Sequence, residues 1–369
     1  MDNSVFSPIV VDFTVEPLFL GTARNVARLD LPINPWIKRR TERALGLTWF
    51  PGDFSYIQDA KDFAQLTPKL QQLFLANLKF QTVLDSVATR TVAEVFLPIT
   101  TNPQLEEWWV THAFQESIHS ASYADLIKAL PLNSTKVFDE IMVTPEIMQR
   151  AQMIVDCFDD TIEMNALAVI TNAGEPNRYS EEAHKRSLIK SLYALNILEA
   201  GLFQTSFITT FAYAENGLME SSGKSMGKIS VDESNHLAMT VYLINKLKKD
   251  TDWKYLFEEL RPEIEDMYKA AAEADYMWID YLFRDDARLL GLSAPVLRQY
   301  SDWNMSKAKA AIGLTHTKGL TNPCSWADKY TNLSNQQNAN NESDSAAYLL
   351  GKINKHVPIE FYETLPGYA

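Results

Sequence analysis

Little in this chain points to secretion. Its 369 residues include 2 cysteines, Cys157 and Cys324, too few for a disulfide framework, so a reducing, cytoplasmic setting is expected. The opening MDNSVFSPIVVDF lacks the basic stretch and long apolar run of a signal peptide. No uncharged apolar run reaches the roughly 18 residues a membrane span needs. Positive charge is scarce as well: 34 Lys and Arg stand against 47 Asp and Glu, a net charge of -13. That balance excludes a basic footprint for nucleic acid and is repelled by anionic membranes. No Gly-rich phosphate loop occurs, and no alternating strand pattern of useful length.

What is present is helix punctuation and apolar side chains. Hydrophobic residues make up 46% of the chain, enough for a sizeable core. Thr67-Pro68, Asn102-Pro103 and Thr144-Pro145 each place a capping side chain ahead of a proline at the first helical position. Ser180 before Glu181 and Glu182, and Ser293 before Pro295, are weaker versions of the same signal. The pattern predicts helices near 36–46, 68–98, 103–130, 145–173, 181–221, 225–249, 252–284 and 294–312. The 181–221 stretch would run roughly 60 Å at about 1.5 Å per residue. A bend or π-bulge is therefore expected in it, downstream of Glu199 around Gly201 to Thr210. Residues 1–35, with prolines at 8, 17, 32 and 35, read as an irregular segment and 36–320 as one helical domain. Residues 321–369 read as a mobile C-terminal tail, polar over 332–347 and apolar again towards its end, suited to docking on a partner.

The chemistry lies in repeated Glu-x-x-His. Chance places fewer than one such pair in a chain with 6 histidines, and three occur. Glu181–His184 falls in a charged first helical turn, where its acids suit the helix dipole, and reads as structural. Glu116–His119 and Glu233–His236 instead lie mid-helix, and residues three apart share a helix face. Each is preceded by a lone acid in an apolar stretch, Asp85 in LKFQTVLDSVATR and Glu199 in LYALNILEAGLFQTSF. An unpaired buried carboxylate costs several kcal/mol, so four of them demand counter-charge. Two divalent irons would supply it, +4 against -4. This is the ligand inventory of a carboxylate-bridged dinuclear site in a four-helix bundle. Oxygen-rich ligation with one imidazole per ion suits iron or manganese better than zinc or copper. Asp232, beside Glu233, is a candidate hydrogen-bond acceptor for a ligand histidine. Tyr123 follows His119 by one turn, where an oxidised metal pair could take an electron and proton from its phenol.

With these residues in place, the chain resembles the small, radical-bearing subunit of class I ribonucleotide reductase over about residues 15 to 350. The segments that carry the likeness are NLKFQTVLDS (77–86), FQESIHSASY (114–123), LEAGLFQTSF (198–207) and ISVDESNHL (229–237). The resemblance implies an all-α, ferritin-like four-helix bundle with additional helices, forming a homodimer. It implies two iron ions per chain, with manganese as the other ion this ligand set accepts. The implied ligands are Asp85, Glu116, His119, Glu199, Glu233 and His236. Tyr123 matches the radical tyrosine, and Phe203, Phe207 and Ile229 match the apolar pocket that shields it. Trp49, in GLTWFP, matches the buried tryptophan of the family's redox relay, Asp232 its partner beside His119, and Tyr348 the tyrosine of the flexible tail. In that reading the reduced metal pair activates O2 and oxidises Tyr123. The oxidising equivalent then passes to the ribonucleotide reductase large subunit, docked by the C-terminal tail, for reduction of ribonucleotides to deoxyribonucleotides. Two positions depart from the family pattern: Gln115, where a serine is familiar, and His112, where a tryptophan is common. Both bear on oxygen access or on the tyrosine's hydrogen bonding. The nearest alternative is a di-iron oxidase or monooxygenase with the same six ligands; ferritin-type iron storage would fit a much shorter chain.

Overall fold

The structure, a computed structural model, describes residues 7–331 apart from 23, 32 and 175–177. Tyr348 and the rest of the expected tail from 332 onward lie outside the described residues. Helix accounts for nearly all regular structure, and the described residues contain no strand beyond the isolated bridges Phe19–Thr100 and Leu289–Leu292. In chain order the α-helices are α1 (Pro35–Gly46), α2 (Ile57–Gln65), α3 (Pro68–Thr91), α4 (Pro103–Ala129), α5 (Ser134–Ile141), α6 (Pro145–Asn172) and α7 (Glu181–Ile197). They continue with α8 (Phe203–Glu215), α9 (Glu220–Leu247), α10 (Lys254–Glu259), α11 (Arg261–Leu282), α12 (Ala294–Ala311) and α13 (Asp328–Thr331).

The bundle forms around four rods: α3, α4, the α7–α8 pair and α9. Helix α3 packs on α4 and α8, α4 on α9, and α9 on both α7 and α8. Outside them α6 covers α7 and α3, α11 and α12 form a further layer, and α1 lies against α4 and α9. The interior is apolar and aromatic, with Phe80, Leu84, Trp108, Trp109, Leu195 and Phe203 all fully buried. Each such side chain contributes roughly 1.5–3 kcal/mol by leaving water, which is what makes buried acids in the same layer tolerable.

Capping follows the sequence in part. The Thr67 hydroxyl accepts from Leu70 N–H, the Asn102 amide oxygen from Leu105 N–H, and the Ser180 hydroxyl from Ala183 N–H. Thr144 departs from expectation: its hydroxyl donates to the Glu140 carbonyl at 2.7 Å, and it makes no cap. Ser293 makes none either. The predicted 252–284 helix divides at Leu260, because Pro262 opens a new helix. Helix α5 was not expected, although the Asn133 side chain caps it by accepting from Lys136 N–H at 3.1 Å. Residues 325–331, placed by sequence in the tail, pack on the body: Tyr330 stacks on Phe211 with centroids 4.5 Å apart and donates to Glu215.

The expected irregularity in the long helix is a π segment, Leu198–Leu202. It begins one residue before Glu199 rather than after it. A π turn leaves carbonyls without their usual N–H partners, and side chains take them over. The Glu199 carbonyl accepts from Gln204, that of Ala200 from Asn304, and that of Leu202 from Arg150 at 2.9 Å. Arg150 is itself buried and pairs with buried Asp275. A second π segment, Val92–Phe96, is treated alike, with the Asn165 amide donating to the Glu94 and Val95 carbonyls. The start of α9 is held from outside: Met219, at φ 54, donates to Asp62, and Ser221 and Ser222 N–H groups donate to Asp59. Carboxylates at a helix N-terminus are favoured by the dipole, and here they set the position of α9 along the bundle.

Candidate metal centre

Each of the six expected ligands reaches the middle of the bundle. Asp85 comes from α3, Glu116 and His119 from α4, Glu199 from the π segment, and Glu233 and His236 from α9. All six are 0% exposed. Their donor atoms fall in two groups: Asp85, Glu116, His119 and Glu233 in one, and Glu199 and His236 with His112 in the other.

Two carboxylates span both groups. Glu116 places Oε2 3.5 Å from His119 Nδ1 and Oε1 3.2 Å from His236 Nδ1. Glu233 does the same, with Oε1 3.3 Å from His119 Nδ1 and Oε2 3.4 Å from His236 Nδ1. Asp85 touches only the His119 side, at 3.6 Å, and Glu199 lies only on the His236 side. Neighbouring ligands about 2.1 Å from one ion stand roughly 3 Å apart, close to these separations. Both oxygens of Asp85 and of Glu233, Oε2 of Glu116, Oε1 of Glu199 and Nδ1 of both histidines have no hydrogen-bond partner. Orphaned buried polar atoms are costly, and two cations between Glu116 and Glu233 would satisfy all of these at once. The residues therefore fit a dinuclear metal centre.

Protons offer part of the same compensation. Burial holds the Asp85 carboxyl well above its usual range, reinforced by Glu116, and burial likewise raises Glu199. For His119, burial opposes the charged form, but the hydrogen bond to Asp232 and the close Glu116 and Glu233 carboxylates outweigh it and raise the pKa well above normal. His236 follows the same balance, raised to about 10 chiefly by Glu233 and Glu116. Metal loading must displace these protons.

His112 was not among the expected ligands, although its spacing of four from Glu116 and seven from His119 put it on the same helix face. Its Nε2 lies 3.1 Å from Glu116 Oε1 and 3.5 Å from Glu199 Oε1. Its ring stacks on His236, with centroids 3.7 Å apart and planes 23° from parallel. Burial and the neighbouring His236 push its pKa down to about 4. His112 is thus a neutral donor to the carboxylates.

Outside the donor cluster runs a hydrogen-bonded chain. Trp49 Nε1–H donates to Asp232 Oδ2 at 2.8 Å, and His119 Nε2 lies 3.2 Å from the same oxygen. The Trp49 and His119 rings are near parallel, with centroids 6.1 Å apart. Gln115 extends the chain from Asp232 to His236. Tyr123, fully buried, meets no hydrogen-bond partner at its hydroxyl. Burial, then the Asp85 and Glu233 charges, raise its pKa far above normal, which keeps the phenol protonated. Phe203, Phe207 and Ile229 are buried in the same core, the two phenylalanine rings stacked at 5.9 Å.

The third Glu-x-x-His plays no part in this cluster. Glu181 pairs with Lys185 at 2.8 Å, while His184 is buried and hydrogen-bonds Asn165 at 2.8 Å. Burial lowers the His184 pKa to about 4. A histidine depressed below its unfolded value near 6.5 contributes stability that is complete above that value and lost as pH falls towards 4. Against His184→Gln, the native protein should therefore lose up to about 3 kcal/mol between pH 6.5 and 4, at 1.36 kcal/mol per unit. Urea unfolding across that range reads it, and parallel pH curves would refute the assignment.

A helical bundle with a buried carboxylate–imidazole cluster that could hold metal ions is the architecture of ferritin-like proteins. Comparison narrows the class. The family model "Ribonucleotide reductase, small chain" matches residues 32–319. The chain is 34% identical to the ribonucleoside-diphosphate reductase subunit beta of Haemophilus influenzae, covering 97% of each. It is 31% identical to the corresponding subunit of Enterobacteria phage T4, covering 96% of this chain and 97% of that one. Among solved structures it resembles the ribonucleotide reductase R2 subunit from Clostridium botulinum, with TM-score 0.74 at 22% identity, covering 86% and 95%. It also resembles the dimanganese(II)-NrdF of Streptococcus sanguinis, with TM-score 0.69 at 15% identity, covering 84% and 100%. The chain belongs to the ribonucleotide reductase small-chain family. Its function is that of the small subunit of ribonucleoside-diphosphate reductase, an oxidoreductase that works with a large subunit. Among the described residues, no helix is long and apolar enough to cross a membrane.

Proposed function

We propose that the Asp85, Glu116, His119, Glu199, Glu233 and His236 cluster holds two iron ions, and that its product is a radical on Tyr123. The observation that carries this reading is the set of orphaned carboxylate oxygens and imidazole nitrogens between Glu116 and Glu233. Manganese fits the same donors. Bound metal supplies the electrons for O2 reduction and the oxidising power that the side chains lack.

The residues around the metals do the rest. Glu116 and Glu233, each close to both histidines, would hold both ions, Asp85 and Glu199 would each serve one end, and His119 and His236 would offer Nδ1. Tyr123 stands protonated in a dry pocket, where a phenoxyl radical is protected from water and reductants. His119, Asp232 and Trp49 form a hydrogen-bonded route leading away from the centre. In this reading Trp49 feeds an electron inward during assembly and relays oxidation outward during turnover. Tyr348 then hands it across to a large subunit held by the tail 321–369. The working unit is a homodimer in the cytoplasm.

Adding Fe(II) and O2 to metal-free protein and recording the electron paramagnetic resonance spectrum tests this. A tyrosyl signal is expected; about two ions bound per chain without one would overturn the role of Tyr123. Tyr348→Phe should leave that signal at wild-type intensity while reducing nucleotide turnover with the cognate large subunit more than about 1,000-fold, about 4 kcal/mol in barrier. Persistent turnover would remove Tyr348 from the route.

A further inference from the structure

The outer edges of the two ligand histidines lead to one carboxylate, Asp232, which His119 reaches directly and His236 through Gln115. Gln115 Oε1 lies 3.0 Å from His236 Nε2, and Gln115 Nε2 lies 3.1 Å from Asp232 Oδ1. The other oxygen of Asp232 already takes Trp49 and His119. The donors and acceptors allow one arrangement. A carboxylate only accepts, so the Gln115 amide must turn its NH2 to Asp232 and its carbonyl to His236. That carbonyl only accepts, so His236 must carry its proton on Nε2. The reversed amide would set its oxygen against the Asp232 carboxylate. Gln115 is 2% exposed and Asp232 3%, so water does not relax these demands.

We propose that Gln115 is a positioning residue: it fixes the Nε2–H tautomer of His236, frees Nδ1 for metal, and ties His236 to the same carboxylate that orients His119. The proposal rests on the dinuclear reading. It makes the two metal positions unequal in their support. Asp232 serves both histidines, one directly and one through Gln115, whereas Gln115 serves His236 alone. A partner that orients a ligand imidazole is typically worth 10–100-fold in metal affinity. Two neighbouring residues, one on each helix, thereby couple α4 and α9 through their outer hydrogen bonds as well as through the ions.

The test is a Mn(II) titration followed by electron paramagnetic resonance on the full-length protein, for the wild type, Gln115→Met and Asp232→Asn. Methionine keeps the volume of glutamine and removes the amide. Gln115→Ala, which adds no bulk, serves if the methionine variant unfolds. Gln115→Met should weaken one of the two ions about 10–100-fold and leave the other within about twofold; Asp232→Asn should weaken both. A second readout is independent of function: in the Zn(II)-loaded protein, assigned nitrogen-15 histidine spectra should show slowly exchanging Nε2–H protons on both ligand histidines, His119 and His236, besides those of buried His112 and His184, and Gln115→Met should lose that of His236. Equal weakening of both ions by Gln115→Met, no weakening of either, or survival of both protected protons would overturn the proposal while the metal reading stands. A wild-type protein that binds no Mn(II) would overturn the metal reading, and this inference with it.

Discussion

Tyr123→Phe is expected to abolish the radical and all nucleotide reduction, yet leave metal content unchanged. The substitution removes one oxygen from a side chain that is 0% exposed and whose hydroxyl has no hydrogen-bond partner. No partner is orphaned by its loss, so folding should tolerate the change within about 1 kcal/mol. The ring remains to fill its space. What disappears is the phenolic O–H, the group that under the proposed function would yield an electron and a proton to the oxidised centre. Turnover with the large subunit should fall by more than about 1,000-fold, about 4 kcal/mol in barrier. Metal analysis, electron paramagnetic resonance and a thermal melt on one preparation separate the effects. Retained activity, or a tyrosyl signal of wild-type shape, would place the radical elsewhere.

The second large effect concerns the bridges. Glu116→Ala and Glu233→Ala should each reduce bound metal from about two ions per chain to none at micromolar concentration, because each carboxylate faces both imidazoles. Asp85→Ala should remove only the ion on the His119 side, and Glu199→Ala only that on the His236 side, since each acid reaches one end. Equilibrium dialysis with Mn(II) counts the ions directly. Two ions retained by either bridge variant would refute the bridging assignment. The contrast matters more than any single value, because simple removal of negative charge would affect all four acids alike.

Much of this site was legible in the sequence because helical spacing is local. A glutamate and a histidine three residues apart share a face whatever the rest of the chain does, and prolines after Thr67 and Asn102 mark the starts of α3 and α4. The lone acids were legible as well, through the apolar residues around Asp85 and Glu199. Relations between helices were not legible. That Gln115 on α4 meets Asp232 and His236 on α9 depends on how two rods are rotated against each other, which no spacing within either rod encodes. Arg150 and Asp275 each read as an ordinary helix charge, and only packing shows them paired beneath the π segment. The short α2 and α5 escaped because fewer than three turns give little periodicity, and Pro262 split a helix that apolar patterning had joined.

The π segment at Leu198–Leu202 has one more consequence. An α-helix advances about 100° per residue, so a single extra residue resets the angular phase of everything after it. Upstream of the segment the rod turns Leu195 and Leu198 to the core; downstream it aligns Phe203, Phe207 and Phe211. Deleting one residue between Glu199 and Phe203 would restore regular winding and swing that aromatic row about a quarter-turn away from the interior. Arg150, Gln204 and Asn304, by holding the unwound carbonyls, are therefore the clamps of a phase shifter. They let one continuous rod deliver an acid to one wall of the core and aromatic rings to another.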